Sequence, residues 1–192
     1  MTPQASSGST PSDGHSPVRS KVQPFLSPKE GLGPLTAELL IVCLDPEEAT
    51  KTLVPFLEAQ GICFTDDNRD RLLIQARITS VTCHLPPQQV PLPTDMEFCS
   101  AALCEELQDM SGLRLVLVLG ISAHIAVLRA CGIPLTRLDF RPGEITRLPD
   151  GLLLADACHP LSEEADPDLL TQRKNALIKL IPQIRSALRP SA

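Results

Sequence analysis

The sequence predicts an α/β protein, a three-layer αβα sandwich built on a mostly parallel central sheet of four strands. A continuous apolar run at 39–44 and the segment 113–120, which is apolar throughout 115–119, are typical of strands that are buried on both faces, because neither shows the alternation of a half-exposed strand. Helical patterns separate the predicted strands. Strands that alternate with helices indicate a mostly parallel sheet with helices on both sides.

The first half of the domain is predicted to hold two strands and two helices. The first strand stops at Asp45-Pro46, and a helix follows over 46–61, since a proline and two acidic residues suit a first turn. The segment 69–76 is predicted to be a short helix. The segment 77–83 is predicted to be the second strand, with apolar residues on its buried side.

The second half is predicted to contain three helices and two strands. Capping residues, terminal glycines and a three- and four-residue apolar spacing mark the helices. In chain order the elements are a helix at 93–110, a strand at 113–120, a helix at 123–132, a strand at 152–158 and a helix at 166–188. Functional loops are expected at the carboxyl ends of the strands, where parallel sheets carry their ligands.

Composition limits the classes of function. The chain has 192 residues, a formal net charge of −6 and only 3% aromatic residues, so any nucleic-acid site must be a local basic patch. No stretch approaches the roughly 18 apolar residues of a membrane span, and residues 1–20 lack the apolar core of a signal peptide. We therefore expect a monomer with no membrane partner in a cytoplasmic or nuclear location, where its seven cysteines are free thiols or metal ligands.

The chain divides into a tail and one domain. Residues 1–34 are rich in Ser, Pro and Gly and are predicted to be a disordered tail, within which the apolar triplet Pro24–Leu26 is a candidate for docking on the domain. The domain is predicted to span 35–192, which is long enough to bury a substantial core.

A proline-rich loop leads to a family resemblance. Cys83 and Cys99 stand sixteen positions apart around four prolines, and the loop ends in "TDMEF" before the second cysteine. Further along come "LVLVLGISAHIAVL", "RPGEI" and "LPDGLLLADACHP". In order and spacing these motifs resemble the uracil-DNA glycosylase superfamily, most closely its iron–sulfur branch (family 4), over roughly residues 37–185. The resemblance implies hydrolysis of the bond between a uracil, or a related base, and its deoxyribose in DNA.

The resemblance also implies a four-iron, four-sulfur cluster, for which this chain lacks part of the ligand set. The family's first two ligands form a Cys-x-x-Cys near the amino terminus, but this sequence has no cysteine before Cys43. A cuboidal cluster normally takes four thiolates, one for each iron. We therefore expect no cofactor, with Cys83 and Cys99 as vestigial cluster positions. The alternative is a cluster completed by other cysteines.

Two catalytic residues are implied by the resemblance. His159, in a His-Pro at the end of the last strand, would donate to the uracil O2 as negative charge develops there. Asp45 is the carboxylate nearest the family's water-positioning residue and would activate the attacking water. Structural alternatives remain open for both, because Asp45 can cap the following helix and His159 can have a structural role.

Four substrate-binding residues follow from the same resemblance. Phe64 would stack on the flipped base, or alternatively belong to the core. Thr79 or Ser80 stands where the family has an Asn that reads the base edge, and a hydroxyl offers one hydrogen bond where an amide offers two. Leu161 would fill the space that the flipped base leaves in the duplex.

Basic residues supply the remaining expectation. Arg137, Arg141 and Arg147 precede the last strand and are predicted to lie on the DNA face, while His84 and His124 are predicted to be solvent or loop residues. Two functions of different class follow. The first is a DNA glycosylase that acts on uracil-containing DNA, and the alternative is a catalytically inactive domain that binds a protein or nucleic acid.

Overall fold

A computed structural model describes residues 31–44, 51, 53–65, 73–81, 93–159 and 166–189, with the backbone alone described for 93–99. Asp45, Leu161 and Cys83 lie outside the described residues, as does His84. Within the described ranges, no helix is both long enough and apolar enough to cross a membrane.

The described chain forms six strands and four helices. The strands are β1 (Leu39–Cys43), β2 (Ile62–Cys63), β3 (Ile74–Ser80), β4 (Leu115–Leu119), β5 (Ile145–Arg147) and β6 (Leu153–Ala157). The helices are α1 (Val54–Glu58), α2 (Pro93–Asp109), α3 (Ile121–Ala130) and α4 (Pro167–Leu188), with a 3-10 turn at Leu135–Arg137.

The strands make one mixed sheet in the order β2-β3-β1-β4-β6-β5. The four predicted strands correspond to β3, β1, β4 and β6, which are adjacent and parallel. The sheet is larger than the four strands predicted, because β2 adds a parallel edge to β3 and β5 adds an antiparallel edge to β6. The turn that contains Gly151 makes β5 and β6 a hairpin, as its Pro-Asp-Gly sequence favours.

Alternate residues of the central strands belong to two separate apolar clusters. Leu39 and Ile41 of β1 pack with side chains from α1 and α4, whereas Leu40 and Val42 pack with side chains from α2 and α3. Because successive strand residues point to opposite faces, helices cover the sheet from both sides. Every residue of β1 and β4 is buried, which explains why their sequences show no polar alternation.

The structure differs from the sequence prediction in the segment before β3. The predicted short helix at 69–76 is wrong for Ile74–Ala76, which begin β3. Residues 74–78 alternate between buried and half-buried, a period of two that a strand satisfies and a helix does not. Within the predicted helix at 46–61, the structure describes α1. Pro55 lies in the first turn of α1, where its missing N–H costs no hydrogen bond.

Residues that precede β1 are attached to the outer side of β3. Leu32 and Ile78 exchange two backbone hydrogen bonds of 2.9 and 2.8 Å as an antiparallel bridge. Arg77 donates to the carbonyl of Gly33 and forms an ion pair with Glu106 of α2 at 2.5 Å. The sequence assigned residues 31–34 to the tail, but these contacts join them to the sheet.

We expect Gly33→Ala to destabilise this attachment. Gly33 has φ of +105°, and a Cβ there would lie 2.4 Å from the carbonyl oxygen of Ala76. The matched control is Gly143→Ala, since Gly143 has φ of +93° and no atom within 4 Å of an added Cβ. Both variants incur the positive-φ cost of about 1–2 kcal/mol, and Gly33→Ala should lose a further ~1 kcal/mol or more in urea unfolding. Equal losses for the two variants would contradict the close backbone contact.

Candidate functional site

The parallel strands end side by side at what we call the carboxyl edge of the sheet. Cys43 of β1 is level with Ser80 of β3, and Leu119 of β4 is level with Ala157 of β6. The chain after β1 enters a helix on one face, and the chain after β4 enters a helix on the other. Open α/β sheets place their ligands in a crevice at such a switch point, so we expect the crevice between the ends of β1 and β4.

Three residues define the middle of the carboxyl edge. Leu44 follows β1, and Gly120 and Ile121 follow β4. Gly120 has φ of +96°, which side chains rarely adopt, and no atom of the described residues lies within 4 Å of a Cβ built there. Leu44 and Ile121 are 48% and 57% exposed, although both are large apolar residues. We call this pair the apolar step.

Two predicted site residues lie at this edge. Ser80 ends β3, and its hydroxyl donates to the carbonyl of Leu44 at 2.8 Å. His159 comes two residues after β6, is half-buried, and accepts a hydrogen bond on its carbonyl from Arg173 of α4 at 3.4 Å. Ser80 and His159 therefore stand on opposite sides of the crevice, each on the strand that flanks β1 or β4.

Two other predicted residues lie away from the crevice. Phe64 is 5% exposed and packs within the core cluster of α1 and α4, which corresponds to the core alternative. It follows Cys63, which pairs with Gln75, five residues before the end of β3. Thr79 is 3% exposed and, being next to Ser80 in the strand, points to the opposite face.

A buried pair that the sequence did not predict lies behind the crevice. The prediction that His124 is a solvent or loop residue is wrong, because it is buried on α3 with Nδ1 2.8 Å from Oδ1 of Asp156 in β6. Its Nε2 lies 3.2 Å from the carbonyl oxygen of Leu138. Both ring nitrogens therefore face oxygen atoms, Nδ1 the carboxylate of Asp156 and Nε2 the carbonyl of Leu138. The sequence signal for this buried contact was Asp156, an acidic residue inside an otherwise apolar strand.

This pair fixes the loop between α3 and β5. Oδ2 of Asp156 accepts from the backbone N–H of Arg141 at 2.8 Å, and its carbonyl accepts from Gly143 at 2.7 Å. The ring of Phe140 meets His124 edge-on with centroids 5.6 Å apart. Hydrogen bonds from the Asp156 side chain and backbone, together with ring packing, thus hold the loop against the end of β6.

Arg141 and Arg147, two of the three arginines predicted to share one DNA face, lie at different edges of the sheet. The backbone of Arg141 is tied to Asp156 near the carboxyl edge, and its exposed side chain has carboxylates of Asp139 and Glu144 at 3.7 and 3.8 Å. Arg147 pairs with Leu153, the first residue of β6, so it lies at the opposite, amino edge. There it lines a cavity of about 670 Å³. The prediction of a single basic face is therefore wrong for Arg147.

The described cysteines do not assemble a cluster site. None of the five cysteines whose side chains are described forms a disulfide, and the ranges that the structure describes contain no group of three or more His, Cys, Asp or Glu side chains placed to hold a metal. Cys43 is buried and donates to the carbonyl of Thr79 at 3.4 Å, so its thiol is occupied in the sheet. The side chains of Cys83 and Cys99 lie outside the description. The described thiols do not fit the ligand set of a four-iron cluster.

Comparisons with known proteins do not assign this chain to a family. No protein-family model matches the sequence, and no curated protein matches it. The features that bear on function are therefore the motif resemblance and the geometry of the carboxyl edge.

We expect Asp156→Asn to destabilise the protein by about 1–3 kcal/mol in urea unfolding, because the amide has one acceptor oxygen where the carboxylate has two, and a buried hydrogen bond to His124 or to the Arg141 N–H is lost. Asp139→Asn is the matched control. Its carboxylate pairs with Arg141 at 3.7 Å on the surface, where such a pair is worth about 0–1 kcal/mol. Similar losses for the two variants would show that the buried pair does not hold the loop.

Cys131 should react slowly with alkylating reagents. Burial, followed by the nearby Asp150 and Cys104, raises the pKa of this thiol from 9.0 to about 11. Only the thiolate is nucleophilic, so iodoacetamide labelling of the folded protein should rise with pH toward a midpoint near 11. Peptide mass spectrometry measures this midpoint, and the same measurement in denaturant is the control, where the midpoint should return to about 9. A midpoint near 9 in the folded protein would contradict the assigned environment.

Proposed function

We propose that this chain is a uracil-DNA glycosylase-like protein with a three-layer αβα sandwich, which hydrolyses the N-glycosidic bond of uracil or a related base in DNA. One observation carries the proposal. In the parallel register Ser80 ends β3 and His159 follows β6, so these two residues, which the motif resemblance selects, flank the ends of β1 and β4, where we expect the crevice. The amino-acid composition does not require these two residues to lie at the same edge of the sheet.

The proposed roles follow from the chemistry of the bond. As the glycosidic bond breaks, negative charge develops on the base, and the His159 imidazole would donate a hydrogen bond to O2. Asp45, the residue after Leu44, would hold and activate the water that attacks C1′. Ser80 would offer one hydroxyl to the base edge, which supports one hydrogen bond rather than the two of an amide. Water and DNA are the only reactants, so the reaction needs no electron carrier.

A second function, a catalytically inactive domain that binds a protein or nucleic acid, has observations in its favour. Phe64 lies in the core and not at the crevice, which removes the aromatic surface expected for a flipped base. Arg141 and Arg147 lie at opposite edges of the sheet, and the net charge is −6, so phosphate contacts are few.

Uracil release from single- and double-stranded DNA tests the two functions. We expect excision by the wild-type protein, and His159→Ala should lower its rate by roughly 10²–10³, the cost of one donor to a developing negative charge. DNA affinity and the unfolding midpoint should be unchanged. His159→Asn is the conservative control, and it should retain part of the rate because an amide also donates.

Asp45→Asn should act independently of His159 and lower the rate by about 10²–10⁴ through loss of water activation. If the wild-type protein at high concentration leaves uracil in place, the glycosylase proposal fails and the binding function stands. If the wild type is active and His159→Ala is equally active, the reaction survives but the proposed site does not.

A further inference from the structure

The cavity at the amino edge lies where several elements of the fold meet. It is lined by the ends of α2 and α4, by the β5–β6 turn and by the segment that leads into β4. Every residue that lines it belongs to the described part of the chain. Its volume of about 670 Å³ falls within the range of about 300–1,000 Å³ that is usual for small-molecule sites. The cavity is therefore large enough to hold a small organic ligand.

The wall of this cavity is mostly apolar and only partly covered. Its half-buried apolar side chains are those of Leu107, Leu113, Leu152, Leu153 and Ala187. Apolar surface that remains in contact with water favours an apolar ligand, because binding removes that surface from water. No aromatic side chain is among the described residues that line the cavity, so the wall offers no ring on which a planar ligand would stack. The wall therefore favours an aliphatic ligand.

Two arginines give the rim of the cavity a positive charge. Nη2 of Arg147 lies 3.6 Å from the position that a Cβ on Gly151 would take, so this guanidinium lies over the β5–β6 turn. Arg114 donates from Nη1 to the carbonyl of Leu188, and a guanidinium has further N–H donors. Among the described residues, neither arginine forms an ion pair with a carboxylate. Both guanidinium groups can therefore bind an anion.

Asp150 limits the charge of the anion that fits. Its Oδ1 accepts from the backbone N–H of Leu152 at 3.0 Å, which holds the carboxylate in the turn. With two arginines and one aspartate, the side chains that line the cavity carry a formal net charge of +1. A monoanion balances this charge, whereas a phosphate dianion exceeds it. Because the planar guanidinium matches the geometry of a carboxylate, the rim favours a carboxylate.

We propose that the amino-edge cavity binds an aliphatic carboxylate. The carboxylate group pairs with Arg147 and Arg114, and the aliphatic chain covers the half-buried apolar wall. This site is independent of the proposed glycosylase function, because it lies at the opposite edge of the sheet from Ser80 and His159. The binding experiment measures no excision, so either proposal can fail without the other.

A methyl NMR titration of the full-length protein with octanoate tests the proposal. Octanoate should shift leucine methyl signals of the cavity, and it should bind more tightly than 1-octanol, which lacks the charge, or octylammonium, which reverses it. Hexanoate should bind about 15-fold more weakly than octanoate, because each buried methylene is worth about 0.8 kcal/mol, or roughly fourfold in affinity. Equal affinity for octanoate and 1-octanol would overturn the proposal, since apolar contact alone would then explain the binding. An absence of shifts at millimolar octanoate would overturn it as well.

Arg147→Gln tests the recognition of the carboxylate. It should weaken octanoate binding by roughly tenfold, the lower end expected for a lost hydrogen bond to a charged group, because Arg147 is exposed. The affinity for 1-octanol should not change. Arg137→Gln is the matched control, because Arg137 is an exposed arginine that does not line the cavity. Equal octanoate affinities for these two variants would contradict the role of Arg147.

Ala187→Leu tests the apolar wall, because the larger side chain occupies part of the cavity. It should weaken the binding of octanoate and of 1-octanol alike. Ala176→Leu is the matched control, since Ala176 is an exposed residue of the same helix that does not line the cavity. Arg147→Gln changes an exposed side chain, so it tests the site even where Ala187→Leu alters folding. Octanoate binding that neither variant weakens would place the ligand elsewhere on the protein and overturn the proposal.

Discussion

Burial of β1 and β4 on both faces is the constraint on which the rest of the structure depends. All five residues of each strand are apolar and buried, so each strand must lie inside the sheet, under helices on both sides. The connections after these two strands leave on opposite faces, so the switch point lies between their ends. The candidate polar residues lie beside it, Ser80 as the last residue of β3 and His159 two residues after β6.

The acidic residue inside β6 is compensated within the fold. Asp156 lies in β6 level with Val118 of β4, in a row that is otherwise apolar toward the helices α2 and α3. His124, one turn into α3, and the backbone N–H of Arg141 satisfy both of its carboxylate oxygens. A buried carboxylate without such partners would cost several kcal/mol. The pair therefore couples α3, β6 and the loop before β5 into one unit beside the crevice.

The two edges of the sheet have different character. The carboxyl edge combines an open glycine, two exposed apolar residues and two hydrogen-bonding side chains, whereas the amino edge holds a cavity of about 670 Å³ beneath α2 and α4. Arg114, which lines that cavity, donates to the carbonyl of Leu188 and so serves the end of α4. His159, proposed for catalysis, therefore lies at the carboxyl edge, and the proposed carboxylate site lies at the amino edge.

Local sequence determined the elements whose patterns are strong. The apolar runs of β1 and β4, the helical spacing of α4 and the Pro-Asp-Gly turn predicted the α/β class and most of the element positions, because each pattern reflects burial of the residues themselves. The two short edge strands were missed, since two or three residues carry no readable period.

Only the tertiary structure decided which distant residues meet. The His124–Asp156 contact joins positions 32 residues apart, and the core position of Phe64 depends on how β2 pairs with β3. Whether Arg147 lies at the same edge as Arg141 depends on the antiparallel direction of β5, which local patterns do not encode. Register and strand order are properties of the assembled sheet. They decide which candidate residues lie close together, whereas the local sequence indicates only which residues are candidates.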